Sequence, residues 1–295
     1  MSTGTGSKTA GKIFTVAVAS GKGGTGKTTV AISMALCAET DVQLLDCDVE
    51  EPNAHILLKP SIQGNEHVSM PVPFLDEAKC TGCGKCSGIC AFNAIVFLKK
   101  PLFLPDLCHS CGLCMKVCPG KAIMEKPRHI GILEIGAKGD VGFVSGCLDI
   151  GIASSPALIR AVRKQSKNAG LEIIDCPPGT ACSFVTSVKD SDFVLLVTEP
   201  TRFGLHDMTL AIKVIKQLKL PFGVLVNKSI SDDDCIGKYC SSEKIPLLMR
   251  IPDDRSIAEA YSRGVDLMEV KPELKDGFLK MIDAVRAIAE EDGGK

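Results

Sequence analysis

The chain of 295 residues is 45% hydrophobic and 23% charged, with a formal net charge of −1. This balance excludes a disordered polyelectrolyte and gives no bulk attraction to nucleic acid, so no nucleic-acid partner is expected. No apolar run approaches the ~20 residues needed to span a bilayer, so no membrane anchor is expected, and the absence of Trp disfavours stacking platforms for single-stranded nucleic acid.

Residues 1–12 lack the apolar core of a signal peptide and read as a short flexible lead. Fifteen cysteines need reducing surroundings to stay as thiols, which points to a cytoplasmic protein. Ile13 to Ala19 is a short β-branched run, predicted as a buried strand. It leads into Gly21-Lys22-Gly23-Gly24-Thr25-Gly26-Lys27-Thr28-Thr29, which satisfies G-x4-G-K-[ST] before a predicted helix over Thr28 to Ala38. The glycines let backbone N–H groups surround a β-phosphate, and the helix N-terminus adds its positive dipole end. Lys27 supplies charge for the β- and γ-phosphates, and Thr28 a hydroxyl for Mg²⁺. Gly21, Gly23 and Gly26 also spell the dinucleotide pattern G-x-G-x-x-G, with Asp46 twenty residues beyond. That site needs close helix–strand packing where this chain places Lys27 and Thr28, so a nucleoside triphosphate is the expected ligand.

Val42 to Leu45 is a second predicted strand, leading into Asp46-Cys47-Asp48-Val49-Glu50-Glu51-Pro52-Asn53. Pro60 to Pro73 holds Pro60, Gly64, Pro71 and Pro73 and is predicted as a linker of turn residues. Cys80, Cys83, Cys86 and Cys90 then form one C-x2-C-x2-C-x3-C run, and Cys108, Cys111, Cys114 and Cys118 repeat it 28 residues later. The second run continues into Pro119 and completes the bacterial ferredoxin pattern, in which the fourth cysteine of each run reaches the other cluster. One [4Fe–4S] cluster is accordingly expected on Cys80, Cys83, Cys86 and Cys118, and a second on Cys108, Cys111, Cys114 and Cys90. Zinc is the competing reading, but it usually takes two C-x2-C pairs across a longer loop. Ala94-Ile95 and Ala122-Ile123 follow the fourth cysteines at matched positions, as the small core of a pseudo-twofold unit. Gly82, Gly84 and Gly112 allow N–H groups to approach sulfur. Ala91 stands where proline is usual after the first run, which weakens that turn only.

Ile130 to Val144 is predicted as strand-rich and Pro156 to Lys167 as an amphipathic helix. Further strands are predicted at Leu171–Ile174, Phe193–Val197, Phe222–Val226 and Leu247–Ile251, with helical stretches between. The alternation predicts an α/β fold, a mostly parallel sheet with helices on both faces, over 1–60 and 128–295. An inserted α+β ferredoxin-like domain with its linker occupies 61–127. Asp175-Cys176-Pro177-Pro178-Gly179-Thr180 places a carboxylate at a buried strand end, able to hold Mg²⁺ through water, in a stiff loop that can shift when a γ-phosphate leaves. Asn227 closes another strand, and Ile251-Pro252-Asp253-Asp254 a third.

Taken in order, these motifs resemble the MinD/ParA/Mrp/nitrogenase-iron-protein superfamily of P-loop ATPases, with a ferredoxin domain inserted. The resemblance covers nearly the whole chain. Some relatives carry names derived from cobyrinic acid a,c-diamide synthase, but without a glutaminase segment amidation is not expected. The resemblance implies that Lys22 is the signature lysine of a deviant Walker A motif, reaching across an ATP-bound homodimer to the partner's nucleotide. It implies that Asp48 orients the attacking water and, with Thr28 and Asp175, serves Mg²⁺. Asn227 would read adenine, with Pro252 and Asp254 beside the base.

Three functions fit: ATP-gated electron transfer to a redox protein partner, an iron–sulfur carrier or assembly ATPase of Mrp type acting on client proteins, and a MinD/ParA-like positioning ATPase. The predicted C-terminal helix, Gly277 to Glu291, runs into Glu290-Glu291-Asp292 without a basic amphipathic tail, against membrane positioning. Ferredoxin-type ligation retains its clusters, which favours electron transfer over delivery. Of the remaining cysteines, Cys37 and Cys47 are expected as buried small hydrophobes. Cys235 and Cys240 are expected to flank a Gly-containing loop with metal-compatible spacing. The nitrogenase iron protein holds a cluster across its dimer axis with one cysteine in each of two regions. Cys182 matches one by its spacing from Asp175 and Cys147 the other by neighbourhood, so the pair is either a bridging ligand set or two partly buried thiols.

Overall fold

The computed structural model describes residues 13–166, 169–230 and 235–293. The chain opens with β1 (Phe14–Ala19), α1 (Lys27–Cys37), β2 (Val42–Asp46) and α2 (Ala54–Leu58). It continues through β3 (Ser61–Leu75), α3 (Lys85–Ile89), β4 (Ile95–Phe97), β5 (Pro101–Phe103), α4 (Leu113–Lys116), β6 (Ile123–Lys138) and β7 (Val141–Leu148). Then come α5 (Ser155–Arg163), β8 (Leu171–Asp175), α6 (Cys182–Val188), β9 (Phe193–Thr198), α7 (Arg202–Leu218), β10 (Phe222–Ser229) and α8 (Cys235–Glu243). The last elements are β11 (Leu247–Pro252), α9 (Arg255–Ser262), α10 (Leu267–Val270) and α11 (Lys275–Gly293).

Nine strands form one sheet in the order β11-β10-β9-β1-β8-β2-β7-β6-β3, parallel from β11 to β7 and antiparallel at β6 and β3. The period of two along each strand feeds two cores. Val16 and Val18 of β1 enter one, against α1, α10 and α11; Ala17 and Ala19 enter the other, against α5, α6, α7 and α8. Each fully buried Val, Ile or Leu side chain contributes about 1.5–3 kcal/mol, so two filled faces hold the parallel strands firmly in register. No described helix is long and apolar enough to cross a membrane.

The stretch expected as a linker, Pro60 to Pro73, is instead mostly the edge strand β3. From Ser61 to Val68 it pairs with the part of β6 that also pairs with β7; from Ser69 to Leu75 it pairs with His129 to Ile123 alone. The edge position explains how Pro71 opposite Pro127 fits, because an edge strand needs no donor on its free side. Most of β3 is solvent-exposed, so it lacks the apolar alternation by which a strand is read from sequence. β3 and β6 thus form a two-stranded arm that runs past the sheet and carries the cysteine-rich segment. That segment has a third core of only three buried apolar side chains, Cys86, Ile95 and Ile123. Such a core is too small to hold a fold without staples.

The predicted helix from Pro156 is α5, ending at Arg163; its expected last residue, Lys167, lies outside the described residues, as does the lead at 1–12. Cys235 and Cys240 do not flank a loop. They share α8, and Cys240 is buried in the core at 1% exposure, so the pair is not arranged as a metal site. Cys37 and Cys47 are buried, whereas Cys147 and Cys182 are exposed rather than partly buried.

Candidate functional site

The phosphate loop leaves β1 at Ala19 and re-enters regular structure at Lys27. Gly24 and Gly26 have φ of +78° and +87°, a region that side chains avoid. A Cβ on Gly26 would lie 2.3 Å from Asn227 Nδ2. Gly26→Ala is therefore expected to lower nucleotide affinity by at least about tenfold, since left-handed backbone alone costs about 1–2 kcal/mol and the Asn227 contact adds a clash; calorimetric titration with ATP measures it. The first turn of α1 has no side-chain cap hydrogen bond, which leaves its N–H groups for an anion.

Lys27 Nζ donates to Asp48 Oδ2 at 3.0 Å, with both side chains less than one-tenth exposed. Burial alone would depress the lysine, but Asp175, Asp48 and Asp46 outweigh it and hold its pKa above the ordinary value. Burial pushes Asp175 up to about 6 against the pull of Lys27, and it raises Asp46 and Asp48 as well. Asp46 is spent on structure: its Oδ1 accepts from Asp48 N and its Oδ2 from Ala54 N, each at 3.1 Å, which shapes the turn after β2. Asp175 is different. The Thr28 hydroxyl is near enough to ease its charge, yet neither carboxylate oxygen has a well-formed hydrogen bond. Three buried carboxylates therefore face one ammonium, with an orphaned acid beside a hydroxyl. Hard oxygen donors of this kind suit Mg²⁺ brought in with phosphates.

Beyond the loop lies a cavity of about 330 Å³ lined by Gly24, Gly26, Lys27, Thr28, Thr29 and Asn227. Pro252 and Asp254 line its far wall with Tyr261, and Asn53 lies against it with a buried Oδ1 that has no partner. Gly21, Lys22, Gly23 and Thr25 are not among its lining residues. Gly21 sits against the Asp207 backbone, and Lys22 turns to Glu199 at 2.8 Å. Asn227 reaches the loop itself, donating from Nδ2 to Thr25 O at 2.8 Å and accepting at Oδ1 from Lys228 N at 2.9 Å. Asp254 pairs with Lys271 at 2.6 Å and caps α9 through Ser256 N at 2.8 Å; the Lys271 ammonium first, then the Ser256 hydroxyl and N–H, hold its carboxyl down at about 2. It therefore fixes the wall, with its own oxygens already engaged. Asn53, Lys228 and Tyr261 belong to this site and were missed from the sequence. Asn53 ends the motif that begins at Asp46, and Lys228 follows Asn227, which was the available signal.

The eight thiols of the cysteine runs are unpaired and gather around two cavities. Cys80, Cys83, Cys86 and Cys118 line one, with Phe97 and Ile123. Cys90, Cys108, Cys111 and Cys114 line the other, with Phe92 and His109 stacked at 3.7 Å between ring centroids. Ala94 N donates to Cys90 Sγ and Ala122 N to Cys118 Sγ, each at 3.3 Å, at matched places after the fourth cysteines. Gly84 and Gly112, at φ of +70° and +71°, start the short helices that carry Cys86 and Cys114. Among the described residues no three His, Cys, Asp or Glu side chains converge on a point that would hold a single metal ion. Sulfurs around a cavity, with N–H groups directed at Cys90, Cys108 and Cys118, are a donor set that could hold an iron–sulfur cluster.

Residues 16–267 match the profile of the CobQ/CobB/MinD/ParA nucleotide-binding domain. An uncharacterized protein of Methanocaldococcus jannaschii is 31% identical over 88% of this chain and 93% of its own length. A cytosolic Fe-S cluster assembly factor, the Nubp1 homolog of Drosophila ananassae, is 28% identical over 48% of this chain and 56% of its own length. Among solved structures, the septum site-determining protein MinD of Pyrococcus horikoshii, complexed with Mg-ADP, superposes with a TM-score of 0.56. It covers 95% of this chain and 98% of that one at 20% identity, a likeness of fold. With a family match over most of its length and a phosphate loop feeding a nucleotide-sized cavity, the chain belongs to the CobQ/CobB/MinD/ParA nucleotide-binding family as a P-loop ATPase of MinD/ParA type.

Proposed function

We propose that this protein is an ATP-gated electron-transfer protein, in which hydrolysis at the phosphate loop acts on an inserted ferredoxin module at 61–127. One observation carries the reading. β7 runs parallel to β2 with Asp46 beside Ser145, and β6 returns antiparallel from β7. The free part of the β3–β6 arm therefore leaves the sheet at the carboxyl edge, where the phosphate loop, Asp48 and Asp175 also lie. Contacts run between the two parts. Val49 O, next to Asp48, accepts from Leu148 N at 2.9 Å, and Asp149 N donates to Ile130 O in the arm at 3.0 Å. Arg128 pairs with Asp106, two residues before Cys108. A shift of the Asp48 turn thus has a route of direct contacts to the arm.

In this reading Lys27 binds the β- and γ-phosphates, Thr28, Asp48 and Asp175 would hold Mg²⁺, and Asp48 would orient the attacking water once Lys27 turns to phosphate. Lys22 reaches the nucleotide of a second copy in a homodimer. Among the described residues the three most exposed large apolar side chains, Ile150, Ile230 and Phe203, follow β7, β10 and β9 at that same edge, as a face between copies would require. Cys80, Cys83, Cys86 and Cys118 would hold one [4Fe–4S] cluster, and Cys108, Cys111, Cys114 and Cys90 the other. Such clusters supply one-electron storage and transfer between a protein donor and a protein acceptor. A change of about 60 mV alters a one-electron equilibrium tenfold, so a modest rearrangement around the thiols suffices for gating.

The test is a redox titration of anaerobically purified protein with no nucleotide, with ADP, and with a non-hydrolysable ATP analogue. The midpoint potential of at least one cluster is expected to move with the triphosphate analogue. Three superimposed curves would remove the gating. A second reading, an iron–sulfur carrier or assembly ATPase, is favoured by the relatives whose names say so, which align with half of this chain or less. It would then lead, and transfer of iron and sulfide to an apo-ferredoxin in the presence of ATP would test it.

A further inference from the structure

Glu199 follows β9 and stands at the mouth of the phosphate loop, with a side chain only 14% exposed. One carboxylate oxygen takes Lys22 Nζ at 2.8 Å, and the other takes Lys228 Nζ at 2.5 Å. Lys228 Nζ also donates to Gly24 O at 3.1 Å. One carboxylate thus gathers cations from two separate loops onto the rim of the nucleotide site. Neighbouring geometry keeps it in place. Pro200 stiffens the chain, the Thr201 side chain accepts from Gly204 N at 2.9 Å to start α7, and Thr198 Oγ1 donates to Gly204 O at 3.1 Å. Lys22, by contrast, is 31% exposed and sits on a long flexible stem.

We propose that Glu199 is a positioning residue that holds Lys22 against its own subunit until the triphosphate of a second copy draws it away. The proposal rests on the composite-dimer reading of Lys22. The competition is one of charge. A single carboxylate is divided between two ammonium groups, whereas a bound triphosphate offers several negative oxygens at close range, so the lysine transfers only when phosphate is present in the facing copy. Charge-assisted hydrogen bonds are stronger than neutral ones, so the hold on Lys22 opposes dimer formation at low ATP. Lys228 makes the hold sensitive to the loop as well, because its contact with Gly24 O must adjust whenever the loop closes on phosphate.

The test compares wild type, Glu199→Gln, Glu199→Asp and Lys22→Ala, with ATP and Mg²⁺ as the probes. Light scattering gives the ATP concentration for half-maximal dimerisation, and steady-state hydrolysis gives kcat and KM. Glu199→Gln is expected to dimerise at an ATP concentration at least about fivefold lower, a modest factor because the pair is partly solvent-screened. KM should fall with it while kcat and the affinity of the monomer for ADP stay within twofold. Glu199→Asp keeps the charge but cannot span both lysines, and should fall between the two; it serves also if Glu199→Gln fails to fold. An unchanged or raised ATP requirement in Glu199→Gln, or in Glu199→Asp should the first not fold, overturns the role of Glu199. Lys22→Ala separates this from the reading beneath it. If that variant dimerises and hydrolyses like wild type, the composite site itself is wrong; if it is defective while the Glu199 variants match wild type, only the hold is.

Discussion

Lys27→Ala protein is expected to bind no ATP at concentrations that saturate wild type, and to lose hydrolysis entirely. The side chain is buried, and it is the ammonium that Asp48, Asp175 and Asp46 all favour. Its removal leaves buried acids with no counter-charge, a change that costs about 3–5 kcal/mol when one partner of a buried pair is deleted. Part of that cost is relieved by protonation, because Asp175 is already pushed up to about 6 by burial. The variant should therefore melt lower than wild type, and less so as pH falls. Lys22→Ala separates binding from turnover: ATP still binds, while hydrolysis and the ATP-dependent dimer fall away. A cation supplied in trans is worth about 10³-fold or more in related phosphoryl transfer, which sets the expected loss. Asp48→Ala should slow hydrolysis with the dimer intact. Filter binding, phosphate release and size-exclusion chromatography with ATP read the three effects. Wild-type turnover in Lys22→Ala would defeat the composite site.

Anaerobically purified protein should carry about eight irons per chain, and single cysteine variants should lose them in blocks of about four. The cavities define the blocks. Cys80→Ser and Cys118→Ser, far apart in sequence but on one cavity, should lose the same cluster, and Cys90→Ser should lose the cluster of Cys108, Cys111 and Cys114. Because the cysteine-rich core has only three buried apolar side chains, loss of either block is expected to open that segment to protease while the nine-stranded sheet stays protected. Iron analysis with electron paramagnetic resonance decides between this and the alternatives. Zinc in place of iron after anaerobic reconstitution would sink the cluster reading. About ten irons per chain would instead bring in the exposed Cys147 and Cys182 as ligands shared between copies; a double serine variant of these two with unchanged iron would exclude that.

Local motifs were legible from the sequence because their chemistry is written in short spacings. The phosphate loop needs glycine, lysine and threonine within a few residues, and each cysteine run sits inside one turn-rich segment. The parallel strands were legible for a similar reason: buried on both faces, they read as continuous β-branched runs such as Phe193–Thr198. The sheet order, the β3–β6 arm and the hold of Glu199 on Lys22 were not legible. The arm is solvated along most of β3 and interrupted by Pro71, Pro73 and Pro127, so no periodicity marks it. Its partners lie from 48 residues apart (Leu75 and Ile123) to 76 apart (Ser61 and Ala137), and pairing at that range depends on how the chain closes rather than on local preference. Glu199 and Lys22 are 177 residues apart and meet only because β9 lies beside β1 in the sheet. The sequence by itself determined which chemical groups the protein carries and which strands are buried. Tertiary structure alone decided that nucleotide and cysteine sites share one edge of the sheet, because long-range strand pairing sets which loops become neighbours.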